Sequence, residues 1–306
     1  CIIFKIMKSK NSDMPINGWW DILPASSHKW VRLGRFDRPI GSWLLLLPCI
    51  WTLPLSSLKI KEVLYLFCIF FLGSFIMRAS GCVINDLWDK DIDKKISRTK
   101  NRPIANGEIS VINAIKFLGV LLILGLICLL NLNKATWVIA LLSIPIIIIY
   151  PLAKRFTRWP QIVLGIAFSW GVPTAWVATG GQWNLGVFFI YLGAVFWVIG
   201  YDTIYGCQDR YEDKLFGVNN TAITMEKYLA NFVKITYFIS ILFFLFAGIY
   251  LKLHFGWFVG VLFMAIHLFL QTLKLTAINR NLSLKIFQSN KIAGLFLAVG
   301  SISKFL

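Results

Sequence analysis

The sequence predicts an all-α, polytopic membrane protein with nine transmembrane helices. Of its 306 residues, 58% are hydrophobic and only 15% are charged, whereas soluble domains carry about 25% charged residues. Apolar segments close to the length of a membrane-spanning helix, about 20 residues, recur along the chain. Lysine and arginine are concentrated on one side of these segments, as the positive-inside rule requires.

Nine segments are apolar enough to be read as membrane spans, although the fourth and the ninth are short. They cover residues 40–57, 63–84, 111–131, 135–152, 160–179, 184–204, 230–250, 254–276 and 290–305. Most of the 31 lysines and arginines fall in the N-terminal region or in the loops after even-numbered spans. The opposite side carries only Lys59, Lys61, Lys134, Lys252 and Lys304.

This charge asymmetry predicts that the N-terminus and the even-numbered loops are cytoplasmic. The net charge of +17 is therefore mainly a feature of topology, which argues against nucleic acid as a partner. Membrane lipid and an anionic substrate are the expected partners of the remaining positive charge.

Two regions are predicted: a cytoplasmic N-terminal segment, 1–39, and a transmembrane domain, 40–306. Within the first, residues 19–36 mix tryptophan with basic side chains, as an amphipathic helix in the membrane interface would. A loosely ordered tail is the alternative. The residues concerned are Trp19, Trp20, Lys29, Trp30, Arg32 and Arg35.

Acidic residues are concentrated in two clusters, each at the cytoplasmic end of an apolar segment. The clusters hold eight of the fourteen acidic residues: Asp86, Asp89, Asp91, Asp93, Asp202, Asp209, Glu212 and Asp213. A carboxylate costs about 2.5–3.5 kcal/mol at the centre of a membrane helix. Carboxylates grouped in this way need a balancing cation or a functional reason.

On regular helices, two triplets of aspartates would each share one face. They are Asp86, Asp89 and Asp93 at i, i+3 and i+7, and Asp202, Asp209 and Asp213 at i, i+7 and i+11. Such faces suit Mg²⁺, which binds through a few carboxylates together with substrate phosphates. The alternative is a solvated acidic helix end neutralised by lysine and arginine.

Basic residues follow both the first cluster and the fourth span. Arg98 and Arg102 come shortly after Asp93, and Lys154 and Arg155 end the fourth span. Arginine binds phosphate in a bidentate way and lysine supplies a point charge. Positive-inside anchoring of the helix ends is the simpler explanation of these four residues.

The sequence also hints at an internal duplication. The spacing Asp-xxx-Asp occurs at Asp89–Asp93 and again, 120 residues later, at Asp209–Asp213. Each motif follows the second span of a four-span block. A repeat would place the two clusters on opposite walls of one cavity.

These motifs resemble those of the UbiA-type intramembrane prenyltransferases. Asn85-Asp86-xx-Asp89-xxx-Asp93 is similar to the first aspartate-rich motif of that family, and Asp209-xxx-Asp213, with Asp202 before it, to the second. Residues 35–41, 77–86 and 201–205 resemble most closely the branch that acts on 4-hydroxybenzoate. The resemblance runs from about residue 33 to the last span.

The resemblance implies nine helices around a central cavity, Mg²⁺ as the cofactor, and transfer of a polyprenyl group from polyprenyl diphosphate to 4-hydroxybenzoate. Asp86, Asp89, Asp93, Asp209 and Asp213 would hold Mg²⁺ on the diphosphate, together with Asp202. Asn85, Arg98, Arg102, Lys154 and Arg155 would contact the same substrate. Arg35 is the candidate for the carboxylate of the aromatic acid, and Arg38 is the alternative.

Two other functions stay open. Acceptors such as dihydroxynaphthoate, haem or homogentisate would keep the chain within the same family. An ion-coupled transporter, with the aspartates as ion ligands, would belong to another class of protein. No Arg/Ser-rich presequence is evident near the start of the chain, which favours the bacterial plasma membrane over the mitochondrial inner membrane.

Overall fold

The structure is a computed structural model that describes residues 15, 17–96, 98–275 and 279–306. All regular structure in these residues is helical, with no strand among them, so the all-α prediction is confirmed. The α-helices are α1 Ala25–Leu33, α2 Ile40–Thr52, α3 Ile60–Trp88, α4 Lys90–Asp93, α5 Val111–Leu130, α6 Lys134–Leu142, α7 Ile144–Phe156, α8 Pro160–Phe168, α9 Gly171–Ala178, α10 Leu185–Gly206, α11 Arg210–Phe216, α12 Thr221–Thr224, α13 Leu229–Tyr250, α14 Phe255–Thr272 and α15 Arg280–Ile302.

Seven helical segments of the described chain are long and apolar enough to cross a membrane. They are Ile60–Trp88, Val111–Leu130, Lys134–Phe156, Pro160–Ala178, Leu185–Gly206, Glu226–Tyr250 and Phe255–Thr272. Ile40–Leu55 is a shorter apolar helix, and α15 corresponds to the ninth predicted span. This last helix begins about ten residues before the predicted start, because Arg280 and Lys285 lower the apolar character of its first turns.

The fourth and fifth spans are each built from two helices. The helical geometry changes at Ser143 between α6 and α7, and Pro145 lies in the first turn of α7, where proline is tolerated. A second break separates α8 from α9 at Ser169 and Trp170. Hydrophobicity alone predicted neither break, since both halves of each span are apolar.

The chain forms two compact units. The described residues of the first unit lie within Cys1–Trp43 and Leu72–Cys128. Its core joins α1 to α3, to α5 and to the loop between α4 and α5, and Trp30 of α1 packs against Phe117 with ring centroids 5.2 Å apart. The buried core residues are Leu33, Ala79, Val83, Ile104, Ile109, Ala114 and Leu121. Placement of the N-terminal segment in the membrane interface stays a prediction.

The second unit comprises Leu44–Phe71 and Leu129–Leu306 and has an aromatic core. The ring of Trp51 lies 5.1 Å from that of Trp197 and 5.3 Å from that of Phe244. Gly193 on α10 permits the close approach of α13, because a Cβ atom there would lie 2.7 Å from the Phe244 ring. Ser240 on α13 donates a hydrogen bond to the carbonyl of Gly193 at 2.7 Å.

A buried polar cluster joins four helices of the second unit. Asn290 Oδ1 accepts hydrogen bonds from Trp197 Nε1 at 3.0 Å and from the Tyr237 hydroxyl at 3.4 Å. Gln271 Oε1 accepts from the same Tyr237 hydroxyl at 3.0 Å and from Asn290 Nδ2 at 3.3 Å. Gln271 Nε2 donates to Ser289 Oγ at 3.0 Å. The cluster fixes the register of α10, α13, α14 and α15.

We expect Asn290→Ala to destabilise the protein by about 2 kcal/mol, because it leaves the polar groups of Trp197 and Tyr237 with fewer partners inside the unit. Thermal unfolding in detergent measures the effect. Asn281→Ala makes the same change on an exposed face of the same helix and should leave the melting temperature nearly unchanged. Equal melting temperatures for the two variants would contradict a stabilising role for the cluster.

Candidate functional site

The first acidic motif lies at a break between two helices. The long helix α3 ends at Trp88 and the short helix α4 begins at Lys90. Asp89 stands between them with φ −98° and ψ 7°. The predicted helix through Asp86, Asp89 and Asp93 is therefore interrupted at Asp89. Aspartate favours helix ends over helix interiors, and clustered carboxylates add repulsion to a regular helix.

All three aspartates of this motif are nevertheless buried, with exposed fractions of 1% for Asp86, 2% for Asp89 and 4% for Asp93. Arg102 Nη1 bridges the motif, donating to Asp86 Oδ1 at 3.1 Å and to Asp93 Oδ2 at 2.9 Å. Arg35 Nη2 donates to the same oxygen of Asp86 at 2.7 Å. We call these five residues the first acidic site.

Burial and a neighbouring positive charge have opposite effects on the pKa of one carboxyl in this site. Burial raises the pKa of Asp93, and the nearby Arg102 guanidinium lowers it. Asp86 Oδ2 is buried and accepts no hydrogen bond from the residues that the structure describes. Of the remaining predicted residues, Arg98 is buried and Asn85 is half-buried. Carboxylate oxygens held in this way suit a hard divalent cation.

The backbone at Arg35 is unusual. Arg35 follows the C-terminus of α1 in the left-handed region, with φ 58°, where glycine is strongly preferred. The Phe36 N–H bonds to the carbonyl of Val31 at 3.0 Å, which closes a Schellman motif. An arginine in this position costs of order 1 kcal/mol or more. The conformation brings the guanidinium to Asp86, which the sequence pattern alone did not indicate.

The second acidic motif also spans a helix break. The long helix α10 ends at Gly206 and α11 begins at Arg210, so Asp209 stands before the short helix with φ −104° and ψ −1°. Asp202 lies in the last turns of α10, and Asp213 lies on α11. The regular helix that would align all three aspartates is not formed. All three side chains are half-buried.

The two motifs have the same local geometry. Asp89 and Asp209 have nearly equal backbone angles at the start of a short helix. In both Asp-xxx-Asp pairs the second aspartate donates its backbone N–H to the carbonyl of the aspartate four residues before it. The bond from Asp93 to Asp89 and the bond from Asp213 to Asp209 are both 2.8 Å long. This likeness adds a structural argument to the equal spacing that suggested a duplication. The convergence of the two motifs on one ligand stays a prediction.

The loop after the second motif meets the C-terminal end of α7 within the second unit. The backbone N–H of Asn219 donates to the carbonyl of Lys154 at 3.0 Å. Lys154 is half-buried and Arg155 is exposed, and both lie in the last turn of α7. The structure therefore brings this predicted basic pair near the loop that follows Asp213.

Sequence reasoning missed one residue of this loop. Asn220 is buried, and its Nδ2 donates to Asp213 Oδ2 at 2.8 Å. The signal was present in the sequence, since an asparagine followed by Thr221 and Ala222 is typical of a helix N-cap. We call Asp202, Asp209, Asp213 and Asn220 the second acidic site.

Neither site is a complete metal cage. Within the described residues, no group of three or more histidine, cysteine, aspartate or glutamate side chains is arranged to hold a metal ion. Mg²⁺ keeps several waters and is usually bound by one or two carboxylates together with substrate phosphates. The donors present at the two acidic sites fit such partial coordination.

The fold and these sites define a polytopic membrane protein with two aspartate-rich sites of equal local geometry. Residues 45–298 match the UbiA prenyltransferase family, and the chain belongs to this family. The resemblance seen in the motifs is thereby confirmed.

Solved structures show the same fold. The structure of a UbiA homolog from Aeropyrum pernix K1 has a TM-score of 0.74, with 21% sequence identity, and covers 87% of this chain and 99% of its own. A UbiA homolog from Archaeoglobus fulgidus bound to GPP and Mg²⁺ has a TM-score of 0.63 and 20% identity, covering 90% and 99% of the two chains.

Relatives of higher identity carry one name. A protein of Aedes aegypti is 48% identical over 197 residues, covering 63% of this chain and 44% of the relative. One of Drosophila melanogaster is 46% identical over 203 residues, covering 66% and 52%. The human protein is 42% identical over 205 residues, covering 66% and 55%. Each is named "4-hydroxybenzoate polyprenyltransferase, mitochondrial".

The chain spans about half the length of these curated relatives. Their names contradict the expectation of a bacterial plasma membrane, because each relative is mitochondrial. That expectation rested on the first residues of the chain. The start of a sequence that covers only part of its relatives is no basis for excluding a presequence.

Proposed function

We propose that this protein transfers a polyprenyl group from polyprenyl diphosphate to the ring carbon of 4-hydroxybenzoate ortho to the hydroxyl, an early membrane step in ubiquinone synthesis. The observation that carries the proposal is the pair of acidic sites with the same backbone geometry, each accompanied by basic residues. Membership of the family and the names of the relatives at 42–48% identity support the choice of reaction and acceptor.

The charge of each side chain determines its proposed role: aspartates bind the metal ion, and basic residues bind the diphosphate. Asp86, Asp89 and Asp93 in one site, and Asp202, Asp209 and Asp213 in the other, hold the Mg²⁺ diphosphate, with Asn85 beside the first motif. Arg98, Arg102, Lys154 and Arg155 share the remaining negative charge. Bound Mg²⁺ supplies stabilisation of the charge that develops on the leaving diphosphate. GPP with Mg²⁺ in the Archaeoglobus fulgidus homolog supports this cofactor.

The bond changes are those of an aromatic alkylation. The allylic C–O bond breaks and its electron pair leaves with the diphosphate. The ring carbon next to the phenol carbon then forms the new C–C bond, and that carbon loses its proton. A site closed to water protects the electron-poor allylic group from hydrolysis. Arg35 is the proposed partner of the carboxylate of 4-hydroxybenzoate. Binding this carboxylate would replace the hydrogen bond from Arg35 to Asp86.

We also propose a location in the mitochondrial inner membrane, on the basis of the relatives' names. The excess of lysine and arginine on one side then places the N-terminus and both acidic sites on the matrix side. Membrane lipid surrounds the spans, and no role for nucleic acid is proposed.

A panel of acceptors tests the proposal. Purified protein in lipid nanodiscs is supplied with one polyprenyl diphosphate and, in turn, 4-hydroxybenzoate, dihydroxynaphthoate, homogentisate or haem. We expect product with 4-hydroxybenzoate, dependent on Mg²⁺ and lost on chelation with EDTA. Preference for another acceptor would contradict the proposed substrate. Ion-coupled uptake into proteoliposomes without any prenylated product would favour the transporter instead.

A further inference from the structure

Asn220 lies at the centre of the hydrogen bonds around the second acidic motif. Its side chain is 5% exposed. Its Nδ2 donates to Asp213 Oδ2 at 2.8 Å and to the carbonyl of Gly206 at 3.0 Å. Its Oδ1 accepts from the N–H of Ala222 at 2.9 Å and from Gln161 Nε2 at 3.4 Å. The amide thus uses both donors and both acceptor positions, so it has one favourable orientation.

The neighbours of Asn220 hold it in place. Gln161, on α8, is 7% exposed, and its Oε1 accepts a hydrogen bond from the N–H of Thr221 at 3.0 Å. The carbonyl of Gly206 is one of those left without an intrahelical partner at the end of α10. A Cβ atom at Gly206 would lie 2.5 Å from Asn220 Oδ1. Only glycine therefore allows the asparagine to approach this closely.

The first acidic site contains a corresponding bridge. With an offset of 120 residues, Gly206 corresponds to Asp86 and Asp213 corresponds to Asp93. In the first site, Arg102 spans these two positions through the side chains of Asp86 and Asp93. In the second site, Asn220 spans them through the carbonyl of Gly206 and the side chain of Asp213. Each bridging residue comes from the loop that follows the short helix.

We propose that Asn220 is a positioning residue that holds the Asp213 carboxylate in the orientation required to bind the Mg²⁺ diphosphate. An amide donates to a carboxylate without adding a charge, so it fixes the direction of Asp213 and leaves its negative charge in place. The inference rests on the proposed function, because it assigns Asp213 to the prenyl diphosphate. It adds Asn220, with Gln161 and Gly206 as its supports, to the residues that shape this site.

Asn220→Asp is the decisive variant. Aspartate has the same shape and remains a favourable N-cap for α12, but it cannot donate to Asp213 and places a second carboxylate beside it. Asn220→Gly removes the donor without adding charge, and glycine is also tolerated at a helix N-cap. Asn184→Asp is the matched control, because Asn184 is also a helix N-cap: its side chain accepts from the N–H of Val187 at 3.0 Å, at the end of α10 opposite Gly206.

Two measurements are made on each protein in nanodiscs. The first is the KM for polyprenyl diphosphate and for 4-hydroxybenzoate, and the second is the calorimetric affinity for an unreactive prenyl thiodiphosphate with Mg²⁺. We expect both Asn220 variants to weaken diphosphate binding about 10- to 100-fold, as loss of a supporting hydrogen bond does in metal sites. The KM for 4-hydroxybenzoate and the melting temperature should match those of the Asn184→Asp control.

Unchanged thiodiphosphate affinity in both Asn220 variants would overturn the inference. So would an equal loss of affinity for both substrates with a lower melting temperature, since that pattern marks a general structural role. Failure of the proposed function is distinguishable from both results. Wild-type protein that transfers no prenyl group, yet binds the thiodiphosphate more tightly than the Asn220 variants, would support the positioning role and contradict the proposed reaction.

Discussion

Asp209→Asn is expected to lower Mg²⁺-dependent prenyl transfer about 100- to 1,000-fold, the range seen when one preorganised electrostatic group is removed from an active site. Asp209 precedes α11 but makes no side-chain capping bond to it. Asparagine is also a favourable N-cap, so the short helix should persist. The substitution therefore removes one negative charge from the second acidic site with little effect on the fold. Turnover with saturating substrates at several Mg²⁺ concentrations measures the loss.

Asp91→Asn is the matched control for this loss of charge. Asp91 lies within the first aspartate cluster, but its side chain is 76% exposed and pairs with Lys94 at 3.5 Å. An exposed pair of this kind contributes about 0–1 kcal/mol, so activity and stability should stay close to those of the wild type. Near-normal turnover of Asp209→Asn would remove Asp209 from the site, and an equal loss in both variants would point to a general effect of acidic charge.

Arg102→Met is expected to have the largest effect on stability. Arg102 is the bridge between Asp86 and Asp93, and its side chain is only 9% exposed. Methionine keeps much of the apolar volume, but it leaves two buried carboxylates without this partner. Removing one member of a buried ion pair costs about 3–5 kcal/mol. Unfolding in detergent should show a correspondingly lower melting temperature, and transfer activity should fall as well.

The control for Arg102 comes from the same unit. Arg32 pairs with Glu108 at 3.8 Å, with side chains 32% and 37% exposed. Arg32→Met should therefore cost no more than about 1 kcal/mol. If Arg102→Met were as stable as Arg32→Met, the bridge would contribute little to the fold. A stable but inactive Arg102→Met protein would place the residue in substrate binding alone.

Much of the fold could be predicted because lipid imposes a simple length rule on apolar helices. The structure has a helix in each of the nine predicted segments, and the ends of α5, α10 and α13 agree with the prediction to within about two residues. The breaks at Ser143 and at Ser169 could not be predicted in this way. They depend on local backbone geometry, which hydrophobicity does not report.

The candidate site was predicted only in part. Charge and spacing selected the aspartates, but they did not indicate that both motifs lie across helix breaks. They indicated Arg102 as a phosphate ligand. They could not indicate that Arg102 bridges two carboxylates, because that contact depends on how the loop after α4 folds. Asn220 was missed because its N-cap pattern does not indicate that the same side chain also contacts the Asp213 carboxylate. Arg35 was selected by resemblance, and its left-handed backbone became evident only in the structure.

The buried polar cluster of the second unit constrains how this sequence can diverge. Asn290 and Gln271 both accept from Tyr237, and Asn290 also accepts from Trp197. A bilayer offers no water to replace a lost partner. Substitution of one of these residues would be tolerated best when another changes with it. Among homologues, these four positions should therefore covary as a group, even though they lie on four separate helices.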